Sequence, residues 1–158
     1  MTGRYRATHF STKTEKRKSV HTTLNTEINP DILIEKAQEC LSHAYAPYSI
    51  FSVGAAVIDN HGRIFSGVNV ENASYGLTIC AERVAIFSAI TAGATSIVAI
   101  AVTAEKLKPI TPCGACRQVM VEFCEPNTPV FSDAGQGKIM KWSVGELLPE
   151  VFAPCWQQ

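Results

Sequence analysis

The run from Ser96 to Thr103, SIVAIAVT, carries no polar residue between its ends and is dominated by β-branched side chains. A strand with one wet face alternates apolar and polar residues. This one does not, so it must be buried on both faces. A strand covered on both sides needs a layer above it and a layer below it, which points to helices packed on each face of a sheet. The flanking segments supply the other pieces. Asn29-Pro30 is a helix start, and Ile32, Leu33, Ala37, Cys40, Leu41 and Ala44 recur at helical spacing up to the break at Pro47. Ser52 to Ile58 and Arg63 to Asn69 predict a β-hairpin around Asp59-Asn60-His61-Gly62. A loop over 70–79 leads to a helix from Cys80 to about Gly93. After the Ser96 strand come a loop with Pro109 and Pro112, a helix from Gly114 to Phe123, strands at Thr128 to Ser132 and Lys138 to Trp142 around a turn at 133–137, and a last helical turn at Val144 to Leu148. The order predicts one α/β domain, a three-layer sandwich whose mixed five-stranded sheet has helices on both faces.

Composition agrees with such a core. At 158 residues, 46% hydrophobic and 18% charged, the chain is long and apolar enough for one packed domain, and wholesale disorder is excluded. No apolar run approaches the roughly 20 residues that span a bilayer, and no signal-peptide core is present, so a soluble, cytoplasmic protein is expected. The formal net charge of zero hides an asymmetry. Met1 to Thr26 holds six basic residues against Glu15 alone, net +5, with nine Ser or Thr; the remaining eight basic and thirteen acidic residues leave the rest at −5. Residues 1–28 are expected to be a basic, disordered tail, with a transit peptide or a tether to nucleic acid or a partner as other readings. Residues 29–158 form the domain, whose negative balance suits a phosphate backbone poorly.

Six cysteines remain: Cys40, Cys80, Cys113, Cys116, Cys124 and Cys155. A domain with a real core does not need three disulfides as staples. Cys80 opens one predicted helix, and Cys113 and Cys116 open another as Pro-Cys-Gly-Ala-Cys. Thiolates at two helix starts can converge on one Zn²⁺, and three protein ligands leave the fourth position to water, the catalytic arrangement. Glu82 stands two residues after Cys80, where a free carboxylate can relay a proton between that water and a substrate nitrogen. Two other readings share these residues. A structural zinc site would recruit a fourth ligand, and a redox pair would use Cys113 and Cys116 alone. Cys40, Cys124 and Cys155 lack paired spacing with Cys80 and are expected to be free thiols.

Five segments in order then resemble the short, single-domain cytidine deaminases that act on free nucleosides: Tyr45-Ala-Pro-Tyr48-Ser, Phe51-Ser-Val-Gly-Ala-Ala, Asn69-Val-Glu71-Asn-Ala-Ser-Tyr75-Gly, Cys80-Ala-Glu82-Arg83 and Pro112-Cys113-Gly-Ala-Cys116-Arg-Gln-Val. The likeness spans roughly 31–152. It implies a cytidine deaminase-like fold, one Zn²⁺ per subunit on Cys80, Cys113 and Cys116, and Glu82 as the catalytic acid and base. It also implies a substrate site of Phe51 as apolar wall, Asn69 and Glu71 on the ribose hydroxyls, and Ala81 beside the substrate. Tyr75 and Phe152 resemble aromatics contributed by neighbouring subunits of a homotetramer. Arg83 would hydrogen-bond the ligand sulfurs, offsetting the excess charge of three thiolates on one zinc. The implied reaction is hydrolytic deamination of cytidine and 2′-deoxycytidine in pyrimidine salvage, with ammonia released. Within the enzyme class the rival is a deaminase of modified cytosine nucleosides of the blasticidin S type.

Overall fold

The structure is a computed structural model and describes residues 28–152. Ile28 apart, the expected basic tail lies outside the described residues, as does Cys155.

Helix α1 (Pro30–Glu39) starts where the side chain of Asn29 accepts the N–H of Asp31 at 2.9 Å, with Pro30 preset for the first turn. The apolar spacing predicts a helix continuing toward Pro47, but α1 stops at Glu39 and a single 3-10 turn follows at Leu41–His43. Long-range pairing takes the chain away from helical geometry. Tyr45 N–H donates to the carbonyl of Asn69 at 3.0 Å, and the carbonyl of Tyr45 accepts Glu71 N–H at 2.8 Å. A segment bonded to a distant extended chain cannot also continue an i→i−4 ladder.

Strands β1 (Val53–Asp59) and β2 (Ile64–Val68) form the expected hairpin, and Asp59 at its turn is fully buried against the Arg63 guanidinium. The remaining elements are α2 (Ala81–Thr91), β3 (Ile97–Ala104), α3 (Gly114–Phe123), β4 (Pro129–Asp133), β5 (Ile139–Ser143) and α4 (Val144–Leu147). Their ends fall within two residues of the sequence-based expectation. The sheet runs β2-β1-β3-β4-β5, with β3 and β4 parallel and the other pairs antiparallel.

Alternation along the central strands builds three layers. Ala55, Val57, Ile100 and Val130 face a core shared with Ala81, Ala85 and Ile86 of α2, Met120 of α3 and Leu147 of α4. Ala56, Ala99, Ala101 and Phe131 face the other way, against Leu33, Ile34 and Ala37 of α1. The helices therefore cover both faces of β1 and β3, as the unbroken apolar character of the Ser96 run requires. No helix among the described residues is long and apolar enough to cross a membrane.

Candidate metal centre

Cys80 and Cys113 each occupy the residue just before a helix, with extended backbone (φ −79°, ψ 155° and φ −68°, ψ 165°). Each thiol therefore sits at the positive end of a helix dipole, beside N–H groups that no side chain caps. Cys116 lies one turn into α3 and is fully buried. The three sulfurs come within 4.8 Å of one another, with Cys80 Sγ to Cys113 Sγ at 3.7 Å and Cys113 Sγ to Cys116 Sγ at 3.6 Å. A tetrahedron of thiolates about 2.3 Å from zinc has edges of about 3.8 Å, so the trio fits three corners of one zinc site. None of the five described cysteines forms a disulfide, and Cys40 and Cys124 stand apart from the trio.

Electrostatics favour the thiolate form at Cys80. The hydrogen bond from the Cys116 thiol, together with the Arg83 guanidinium, draws the Cys80 thiol down to about 5 against the opposing effect of burial. Cys116 is pushed strongly upward by its bond to Cys80 and by burial, so within the pair the negative charge resides on Cys80. Arg83 places Nη2 3.6 Å from Cys80 Sγ and 3.2 Å from the carbonyl of Thr78, while its Nε is buried with no partner. A cation bound to the thiols takes the place of the proton they share.

Glu82 follows on the first turn of α2 and is 4% exposed. Burial raises its carboxyl above the usual range. Ala81, between Cys80 and Glu82, is fully buried. At the end of β2, Asn69 turns its side chain onto the start of β1. Its Oδ1 accepts Val53 N–H at 2.9 Å and its Nδ2 donates to the Phe51 carbonyl at 2.8 Å, so Asn69 and Phe51 are joined directly. Glu71 accepts the N–H groups of Tyr48 (2.9 Å) and Ser49 (3.2 Å) and the Ser49 hydroxyl, and these bonds hold its carboxyl below the ordinary value. Glu71 and Tyr75 line one cavity of about 330 Å³ with Tyr48, Ser49 and Thr78. The Tyr48 and Tyr75 rings meet edge to face at 6.3 Å. Phe152 lines no part of this cavity; it is 78% exposed, with its carbonyl held by Gln118 Nε2 at 2.8 Å.

Comparison with known proteins adds the decisive observation. Residues 29–132 match the family model for the cytidine and deoxycytidylate deaminase zinc-binding region. The chain belongs to this family. A cytidine deaminase of Halalkalibacterium halodurans is 50% identical over 121 residues, 77% of this chain and 92% of that one. The crystal structure of a cytidine deaminase from Burkholderia pseudomallei superposes with a TM-score of 0.74 at 51% identity, covering 79% of this chain and all of that one. A cytidine deaminase structure from Mycobacterium tuberculosis aligns with a TM-score of 0.71 at 34% identity, over 81% of this chain and all of that one. As in this deaminase family, the three thiols here fit one Zn²⁺ per chain.

Two features of the fold escape sequence reasoning. In sequence Tyr48 and Ser49 are no more than part of the Tyr-Ala-Pro-Tyr-Ser segment, yet Glu71 accepts their N–H groups across 22 or more residues of sequence. Asp133, read from sequence as part of a turn, ends β4 and is buried beneath the loop that leads to Cys113. It accepts from Gln38 Nε2 (2.7 Å), Thr103 Oγ1 (3.1 Å), Gly135 N–H (2.8 Å) and the Lys108 ammonium. Asp133 with Gly135 two residues on signals a turn from sequence; only the fold brings the other three donors to it.

Proposed function

We propose that this chain is a zinc-dependent cytidine deaminase that converts cytidine and 2′-deoxycytidine to uridine and 2′-deoxyuridine, consuming one water and releasing one ammonia. The observation that carries the reading is the thiol trio at tetrahedral spacing with buried Glu82 two residues from Cys80. Cys80, Cys113 and Cys116 would hold the zinc, which would supply Lewis-acid activation of water. Glu82 accepts the proton released and delivers it to ring N3, and it then carries a proton to the departing amino group. Burial of its carboxylate keeps bulk water away from that transfer.

Arg83 holds Cys80 in its thiolate form and offsets the negative charge of the ligand set. Asn69 and Glu71 take the ribose hydroxyls, Phe51 forms the apolar wall and Ala81 borders the substrate. Asn69 and Glu71 lie two residues apart after β2, which lets both approach one sugar. Each oxygen of Glu71 keeps lone-pair capacity beyond the bonds it makes to Tyr48 and Ser49. Tyr75 and Phe152, each 78% exposed, cover the site of a neighbouring subunit in a homotetramer. The assembly works in the cytoplasm in pyrimidine salvage, with residues 29–158 as the catalytic domain behind a basic tail at 1–28.

Turnover of cytidine, deoxycytidine, cytosine and blasticidin S by the purified chain, with zinc measured on the same sample, tests the reading. Cytidine and deoxycytidine are the expected substrates at one zinc per chain. One zinc with no turnover of any of the four would leave a structural zinc protein instead.

A further inference from the structure

We infer that Gly67 is a positioning residue for the metal centre, because its missing side chain lets β2 set where the first turn of α2 lies. The inference rests on the zinc deaminase reading and deepens it. A Cβ at Gly67 would stand 2.5 Å from the Ala85 amide nitrogen, 2.6 Å from the Ala81 carbonyl oxygen and 2.9 Å from Val84 Cβ. Two of these are backbone atoms on one turn of α2, so no side-chain rotation can relieve the contact. The helix itself must move.

Cys80 immediately precedes that turn and bonds into it, its carbonyl accepting Val84 N–H at 3.2 Å, and Glu82 lies within it. Cys113 and Cys116 ride on α3, a separate element. Lifting α2 off β2 therefore moves one ligand and the Glu82 carboxylate relative to the other two ligands. Sulfur spacings of 3.6 and 3.7 Å leave a tetrahedral site little room to absorb the shift.

The same sheet contains its own control. Gly54 on β1 is packed still more tightly, a Cβ there meeting the Ala37 carbonyl oxygen at 2.0 Å. Ala37 belongs to α1, on the opposite face, and α1 carries none of the proposed site residues. Loss of either glycine strains a helix against the sheet, but only Gly67 strains the helix that carries Cys80 and Glu82. A gentler pair of substitutions repeats the contrast. Ala55 lies beside Gly67 in the ladder and shares a buried cluster with Ala81 and Ala85, whereas Ala56 faces α1.

The experiment compares Gly67→Ala with Gly54→Ala, and Ala55→Ser with Ala56→Ser. Zinc affinity is read by competition with a chromophoric chelator, the ligand geometry by the absorption of the Co²⁺-substituted protein, and kcat, KM and urea unfolding alongside. Gly67→Ala is expected to bind zinc about 10- to 100-fold more weakly. Its kcat should fall about 100-fold, with KM near that of wild type and a distorted Co²⁺ spectrum. Gly54→Ala should lose comparable stability while keeping zinc affinity and kcat. If either glycine variant fails to fold, the serine pair decides: Ala55→Ser weakens zinc binding and Ala56→Ser does not. Equal zinc affinity in Gly67→Ala and wild type overturns the inference, and so does an equal loss in both members of a pair. A wild-type chain that holds zinc without deaminating any nucleoside would defeat the functional reading alone, since the zinc comparison still reports on Gly67.

Discussion

Glu82 and Asn69 are both buried polar residues, 4% and 8% exposed, yet they stand in different chemical positions. Asn69 gives its Oδ1 and one Nδ2 hydrogen to the backbone of Val53 and Phe51, which leaves its second Nδ2 hydrogen for the ribose of the proposed reading. Replacing it with Ala strands the Val53 N–H and the Phe51 carbonyl. Leaving buried polar groups unpaired costs about 1–3 kcal/mol, so Asn69→Ala should lose that much stability in urea unfolding. Because the Phe51 backbone is released at the same time, KM for cytidine should rise with it. Unchanged stability would mean that water replaces the amide and that Asn69 does not anchor Phe51. Glu82, by contrast, sets its carboxyl against the Cys116 thiol and its own backbone N–H, within the metal centre and not on a strand. Glu82→Gln keeps size and burial but removes the carboxyl that, on the proposed reading, carries the proton. Zinc content should remain at one per chain while kcat falls at least 100- to 10,000-fold, the range of general acid–base catalysis. A Gln variant within about tenfold of wild type would remove Glu82 from that role, since general acid–base catalysis contributes more than this.

At the scale of elements, Asp133 joins three parts of the fold. It collects Gln38 from α1, Thr103 from β3 and Lys108 from the loop that ends at Cys113. Burial alone would raise its carboxyl. The bonds from Lys108, Gly135, Gln38 and Thr103 outweigh burial and bring it from 3.8 down to about 2. A folded-state value below the unfolded one means that the stabilisation is fully present above about pH 4 and is lost as pH falls toward 2. Its size at neutral pH is about 2 kcal/mol. Asp133→Asn should therefore be about 2 kcal/mol less stable than wild type at pH 7 in urea unfolding, with the gap closing between pH 4 and pH 2. A gap independent of pH would show that the carboxylate charge contributes nothing. This network also marks where sequence reading ends. The Cys113-x-x-Cys116 pair is legible because its spacing is local and helical, and the Ser96 strand because its lack of alternation has one structural meaning. Asp133 and Gly67 are not legible in that way. Their roles depend on partners 14 to 95 residues away, and a turn-type Asp or a strand Gly carries no mark of what the fold will place against it. The end of α1 failed for the same reason, since Tyr45 is drawn out by Asn69 and Glu71.

Over the whole molecule, the apolar side chains left in water are unevenly placed. Tyr45, Tyr48, Ile50, Val70, Tyr75 and Leu77, all between 41% and 78% exposed, come from two segments that are bonded to each other and border the Glu71 cavity. Scattered apolar residues on a surface need no explanation, but a set gathered around one pocket marks an interaction surface. The cavity of about 330 Å³ that Glu71 lines is itself open to solvent, which leaves a bound sugar uncovered. Association of further copies over this face would answer both problems, burying the patch and supplying aromatic cover beyond the one wall that Tyr75 gives its own cavity and that Phe152 does not give at all. Light scattering at micromolar concentration should therefore report a closed oligomer, a homotetramer on the proposed reading. Tyr75→Ala should weaken it and raise KM together, and mixing Tyr75→Ala chains with Glu82→Gln chains should restore part of the activity that neither has alone. Restoration requires subunits to complete one another's sites. A fully active monomer, or mixed chains no better than their average, would instead place each site wholly within its own chain.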